Sequence, residues 1–141
     1  MSERLDNLIR YFETIAEATV PQLRHFYAAA AYFKDPFNEV QTVERIEQIF
    51  AHMFGPLSEP RFIVCARIEQ GDEAFLTWDF RFRIKKYKPE VEQVIRGGSH
   101  LRFNTQNKVC YHRDYWDAAA ELYEKLPLIG GLMRFMKRRM V

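Results

Sequence analysis

The stretch IRGGSHLRFNTQNKVCYHRDYW, residues 95–116, constrains the fold most. It reads as two antiparallel strands joined at Asn104–Lys108. Strand side chains alternate between faces. Ser99, Leu101 and Phe103 therefore share one face, and His100 and Arg102 the other. On the second strand Cys110, His112, Asp114 and Trp116 face away from Val109, Tyr111, Arg113 and Tyr115. An ordinary core face is aliphatic, because a buried charge is costly unless paired. A His, an Asp and a Trp on one strand face therefore predict the wall of a pocket that holds chemistry or a polar ligand group.

The strands before it follow the same rule. In 61–68, Phe62, Val64, Ala66 and Ile68 alternate with Arg61, Ile63, Cys65 and Arg67. In 74–83, Ala74, Leu76, Trp78, Phe80 and Phe82 alternate with Phe75, Thr77, Asp79, Arg81 and Arg83. The polar face is expected to look outward, toward solvent or a partner subunit. Gln70-Gly71-Asp72 is a turn. Gly97-Gly98 predicts a bulge, a bend, or a backbone closely approached by another group.

Ahead of the strands lie helical patterns. Ser2 suits an N-cap, and Leu5, Leu8, Ile9, Phe12, Ile15 and Ala16 follow helical spacing with Tyr11 at the stripe's edge. The Tyr11 hydroxyl either enters a cavity or bridges core and solvent. Pro21 opens a second short helix with Leu23, Phe26 and Tyr27 on its buried side. Asp35, held extended by Pro36, ends a short strand. Thr42 caps a third helix that Gly55 and Pro56 terminate.

At 141 residues with 15% aromatics, the chain fits one domain over 1–126, wrapped around a large apolar cavity for a hydrophobic small molecule. Residues 127–141 form a basic amphipathic tail. Its Arg134, Lys137, Arg138 and Arg139 leave 17 basic and 19 acidic residues in the rest. The body thus lacks the basic stripe of a nucleic-acid binder. The tail is expected to pack on protein more readily than on a membrane surface, because Gly130-Gly131 weakens its helix. No apolar run reaches the roughly 18 residues of a membrane span. Met1–Arg10 does not read as a signal peptide, so a cytoplasmic setting with Cys65 and Cys110 as free thiols is expected.

Helices followed by long curling strands resemble the nuclear transport factor 2-like superfamily, over nearly everything from Arg4 to Trp116. The more specific resemblance is to its ketosteroid isomerase and polyketide cyclase (SnoaL-like) branches. Phe33-Lys34-Asp35-Pro36 resembles the isomerase segment whose Asp is the general base. Tyr11 lies 24 residues before Asp35, the separation of the isomerase oxyanion tyrosine from its base. Ser99-His100-Leu101-Arg102-Phe103 is similar to the isomerase Asp-His-Phe-Arg-Phe, with Ser99 where an oxyanion-binding acid would stand. The cyclase branch resembles this chain in carrying an Asp on the last strand. The resemblance implies an α+β, cystatin-like cone, a curved and mostly antiparallel sheet around N-terminal helices, dimerising through the outer face of the sheet.

On this reading Asp35, Tyr11, Asp114 and His112 are the candidate catalytic residues of an isomerase, cyclase or lyase acting on a carbonyl compound. Ser99, Trp116, Trp78, Phe80, Leu101 and Phe103 would line the ligand. Asp35 is either a base with a raised pKa or simply a turn-former. His112 and Asp114 are a base and its orienter, two ligand anchors, or a buried satisfied pair. Adding Cys110 gives a Cys, His, Asp ladder, yet one straight strand cannot wrap a tetrahedral ion, so no metal is expected; nor is any cofactor. The alternatives are a non-catalytic ligand-binding module and a dimeric interaction module.

Overall fold

A computed structural model describes residues 2–123. The expected boundary at 126 and the tail 127–141 lie outside the described residues. Helix α1 (Glu3–Glu13) starts where Ser2 accepts a hydrogen bond from Leu5 N at 3.3 Å, satisfying one of the orphan donors of a helix start. It buries Leu5, Leu8, Ile9, Tyr11 and Phe12. A 3-10 turn, Glu17–Gln22, contains Pro21 and passes into a single helical turn, α2 (Leu23–Phe26). Strand β1 (Tyr27–Lys34), short β2 (Glu39–Gln41) and helix α3 (Val43–Met53), capped by Thr42, follow. The long strands are β3 (Leu57–Gln70), β4 (Glu73–Ile84), β5 (Gln93–Phe103) and β6 (Val109–Tyr115), followed by a π-helical turn, Ala119–Tyr123. No helix among the described residues is long and apolar enough to cross a membrane.

The six strands form one curved, unclosed sheet in the order β2-β1-β6-β5-β4-β3. Every neighbour is antiparallel except β1 beside β6, which run parallel with Phe33 opposite His112. The helices pack into the concave side. There Leu5, Leu8 and Phe12 meet Leu76, Trp78, Leu101 and Val109 in one core. This is the expected α+β cone.

Several details depart from the sequence reading. Tyr27 begins a strand instead of ending a helix, and β1 runs through the alanines at 28–31. An alanine run favours helix on propensity alone; here it is extended between two stretches paired with β6, at Tyr27 and from Tyr32 to Lys34, with the register shifting in between. The β4–β5 register runs unbroken past Gly97 and Gly98, so no bulge lies there. Of the readings offered for this pair, the close approach of another group is the one seen, because both glycines admit rings. A Cβ on Gly97 would meet Trp78 at 2.5 Å, and one on Gly98 would meet Phe75 at 2.7 Å. Gly97→Ala is therefore expected to cost about 1–3 kcal/mol by overpacking against Trp78, read as a lower urea midpoint.

The irregularities fall elsewhere and move side chains between faces. The β3–β4 register shifts between Val64 and Ala66. Beyond that point the faces exchange, because a strand alternates with period two. Ile68 turns outward and is 70% exposed, while Arg67 reaches Asp6 of α1. The β5–β6 register shifts at Arg102/Phe103, leaving Cys110 unopposed and Val109 buried. The expected Cys110, His112, Asp114 ladder is thereby broken.

Candidate functional site

The parallel β1–β6 pairing brings together a buried polar chain that runs across four strands, β4, β5, β6 and β1. Trp78 Nε1 donates to Ser99 Oγ at 2.8 Å. Ser99 Oγ donates to Asp114 Oδ1 at 2.5 Å. His112 Nε2 lies 2.6 Å from the same Oδ1, and Tyr27 Oη 2.6 Å from His112 Nδ1. Ser99 and His112 are buried, and the Asp114 side chain is 14% exposed.

The polarity of the chain follows from its ends. An indole N–H can only donate. Ser99 thus accepts from Trp78 and sends its own proton to Asp114. Burial, with Asp114 nearby, raises the Tyr27 phenol well above its ordinary pKa, so it remains a donor. His112 then accepts at Nδ1 and donates from Nε2. Two donors converge on Asp114 Oδ1, while Oδ2 has no hydrogen-bond partner among the described residues.

Asp114 stands between two spaces. Inside lies a small cavity lined by Phe12, Phe50, Phe62, Trp78, Ser99 and His112, among others. It leaves about 20 Å³ open to the centre of a water molecule, room for about one water. Among the described residues the aromatics fill this inner space instead of lining a large apolar cavity. Phe12 lies 6.2 Å from Phe62 and 6.3 Å from Phe50, ring centre to ring centre, and Phe62 packs on Trp78 at 5.5 Å. Outside lies an open groove of about 490 Å³, lined by Lys34, Asp35, Pro36, Arg113, Asp114, Trp116 and the neighbouring residues of that strand end.

Asp35 sits at the groove, beside Asp114. Its Oδ1 accepts from Phe37 N at 2.8 Å, Asn38 N at 2.7 Å and Asn38 Nδ2 at 2.9 Å. The carboxyl thus builds the turn from β1 to β2. Burial pushes its pKa up to about 6, helped by the charge of Asp114 and opposed by the bonds from Asn38 and Phe37. Between pH about 4 and 6 the folded protein holds a proton on Asp35 that the unfolded chain releases. Folding stability should therefore fall as pH rises through that window. Asp35→Asn should remove that part of the slope, read from urea midpoints at pH 4, 5, 6 and 7.

The remaining candidates divide. Ser99, Trp78, His112 and Asp114 come together, and Trp116 walls the outer groove against Phe37, 5.4 Å away. Tyr11 does not join them. Its hydroxyl donates to the carbonyls of Thr19 and Val20 at 2.8 and 3.2 Å, which ties α1 to the 3-10 turn. Leu101 is fully buried opposite His112, and Phe80 stacks on Phe62 at 4.6 Å; neither lines the inner cavity or the groove. Phe103 lies under the Arg4 guanidinium, 4.3 Å away, in a separate cleft with Leu8 and Phe26. The sequence reading missed Tyr27, Phe12, Phe50 and Phe62. Phe12 and Phe50 were legible only as core positions, and Tyr27 carried no local signal for its partner.

The SnoaL-like domain family matches residues 8–112. The chain belongs to this family. Solved structures share the fold of this SnoaL-like domain at low sequence identity. An NTF2-like protein of unknown function from Burkholderia pseudomallei superposes with a TM-score of 0.74 at 14% identity, over 87% of this chain and 97% of that one. A Shewanella putrefaciens protein named for the SnoaL-like polyketide cyclases gives 0.73 at 17%, over 91% and 98%. A Catenulispora acidiphila protein with a ketosteroid isomerase-like fold, in complex with trimethylamine, gives 0.72 at 14%, over 87% and 92%. No curated protein matches the chain.

Proposed function

We propose that this SnoaL-like domain moves a proton next to the carbonyl of a small hydrophobic compound held in the groove between Asp35 and Trp116. Asp114 is the base. The observation that carries the reading is the unequal carboxylate. Oδ1 accepts from both Ser99 and His112, and Oδ2 has no partner among the described residues. A proton can arrive on Oδ2 without disturbing the polar chain behind it. The C–H bond breaks, an O–H bond forms at Oδ2, and the electron pair moves to the carbonyl oxygen. Returning the proton to another carbon would isomerise the compound.

Asp35 serves as the acid. Its pKa of about 6 lets it carry a proton in mildly acidic solution and donate to the developing oxyanion. Groups with environments that separate their proton affinities suit such paired roles. Trp116 and Pro36 supply apolar surface beside the two carboxyls. The inner cavity is too small for substrate, which favours the groove over the centre of the cone.

Incubation in D2O with a panel of simple ketones and β-keto esters, followed by proton NMR, tests the proposal. Exchange of the protons next to the carbonyl should exceed buffer controls and should fall as pH rises through about 6. Exchange that instead rises through about 6 would make Asp35 the base. No exchange with any member would favour the binding-module alternative. As for quaternary structure, we propose a homodimer through the outer sheet, where Phe75 and Tyr115 are 37% and 44% exposed; sedimentation equilibrium of the full chain would refute it by returning a monomer.

A further inference from the structure

Tyr27 lies at the far end of the polar chain from the groove, where the proposed reaction does not reach. It is 1% exposed, and among the described residues its hydroxyl has one hydrogen-bond partner, Nδ1 of His112. We infer that Tyr27 is a positioning residue: by donating to Nδ1 it fixes His112 as the Nε2–H tautomer, which anchors Asp114 Oδ1 and leaves Oδ2 free to react. The inference rests on the reading of Asp114 as the base and adds what keeps that base poised.

The alternative tautomer fails on bond accounting. With the proton on Nδ1, His112 would donate to Tyr27, and the phenol's own proton would lose the one acceptor it has among the described residues. A buried donor without a partner costs about 1–3 kcal/mol. At the other end, Nε2 would become an acceptor aimed at the lone pairs of Oδ1. Asp114 would have to take up a proton to keep that contact, and the base would be spent before any substrate arrived. Ser99 cannot correct this, because Trp78 fixes its direction.

The imidazole is also clamped. Phe33 meets it edge-on at 4.8 Å, Phe12 at 6.0 Å, and the Tyr27 ring stacks at 6.0 Å. The titratable groups bearing on His112 are Tyr27 from β1 and Asp114 on β6 itself. From α1 and β5 the neighbours are apolar, Phe12 and Leu101. Tyr11 bears on Tyr27 electrostatically, and its hydroxyl proton goes to the carbonyls of Thr19 and Val20. Among the described residues, Tyr27 at Nδ1 and Asp114 at Nε2 are the groups that distinguish the two ring nitrogens.

The test uses the full chain with 15N-labelled histidine at pH 7. The His112 signals are those lost in His112→Gln. In the native protein Nδ1 should appear as a non-protonated, hydrogen-bonded nitrogen and Nε2 as a protonated one. In Tyr27→Phe, Nδ1 should move toward the position of a free acceptor nitrogen, and ketone exchange should slow several-fold. Native spectra with the proton on Nδ1, or on both nitrogens, would overturn the inference, even if Tyr27→Phe does not fold. So would a Tyr27→Phe spectrum in which Nδ1 is unmoved. Because the spectra need no substrate, the two ideas fail separately. Absent exchange with an Nε2–H imidazole would count against the acid–base proposal alone, and exchange with an Nδ1–H imidazole against this inference alone.

Discussion

Asp114→Asn should abolish nearly all ketone proton exchange while leaving the domain folded. The amide is the same size as the carboxylate, and its carbonyl oxygen can still accept from Ser99 and His112. The contacts at 2.5 and 2.6 Å therefore have a replacement acceptor. What disappears is a group that can accept a proton on its free side. Positioned general bases contribute about 10²- to 10⁴-fold, so the exchange rate should fall by about that factor. Stability should change by only about 1 kcal/mol, within the usual range for a hydrogen bond to a charged group replaced by a neutral one. NMR exchange rates and urea unfolding on the same sample separate the two effects. A variant that unfolds and one that merely stops turning over would look alike in an activity assay alone. An unchanged exchange rate in folded Asp114→Asn would reject Asp114 as the base.

His112→Ala should show the reverse balance, a large loss of stability. His112 is 2% exposed, and its ring is packed by Phe12, Tyr27 and Phe33. Removing it opens a cavity in the core, for which large-to-small changes of aromatic size cost about 3–5 kcal/mol. It also strands the Tyr27 hydroxyl and withdraws one of the two donors to Asp114 Oδ1. A domain of this size has a total stability of about 5–15 kcal/mol, so the variant should sit near the edge of folding at room temperature. The expected signature is a urea midpoint reduced by a third or more at an unchanged slope. A reduction smaller than that of Gly97→Ala would show that the polar chain contributes little to holding the sheet together.

These two residues also show how far the primary structure could be read. Alternation along β6 marked His112 and Asp114 as sharing an inward face, and both do line the inner cavity. Strand period is a local property, so a run of seven residues suffices to reveal it. The same holds for Ser2 and Thr42 as caps, and for the Asn104–Lys108 turn, where the Asn104 side chain accepts from Gln106 N and Lys108 N. The resemblance in the segments around Asp35 and Ser99 pointed to the right family and the right cone.

Bulges were not legible. A single unopposed residue, Cys110, and the shift near Cys65 exchange faces without any change in local composition. Nor was the volume of the interior. Counting aromatics predicts surface to be buried, but whether the rings surround a space or fill it depends on how Phe12, Phe50 and Phe62 meet across three elements.

The amino-acid order alone determined the helix caps, the strand faces and the inward pairing of His112 with Asp114, because each follows from neighbours within a few positions along the chain. Only the tertiary structure decided that β1 lies parallel to β6. That pairing joins Tyr27 to His112 across 85 residues, brings Asp35 to the groove of Asp114, and turns an isolated imidazole and carboxylate into a polar chain with a fixed direction. Contacts of that separation are chosen by packing and hydrogen-bond satisfaction over the whole core, and no local pattern encodes them.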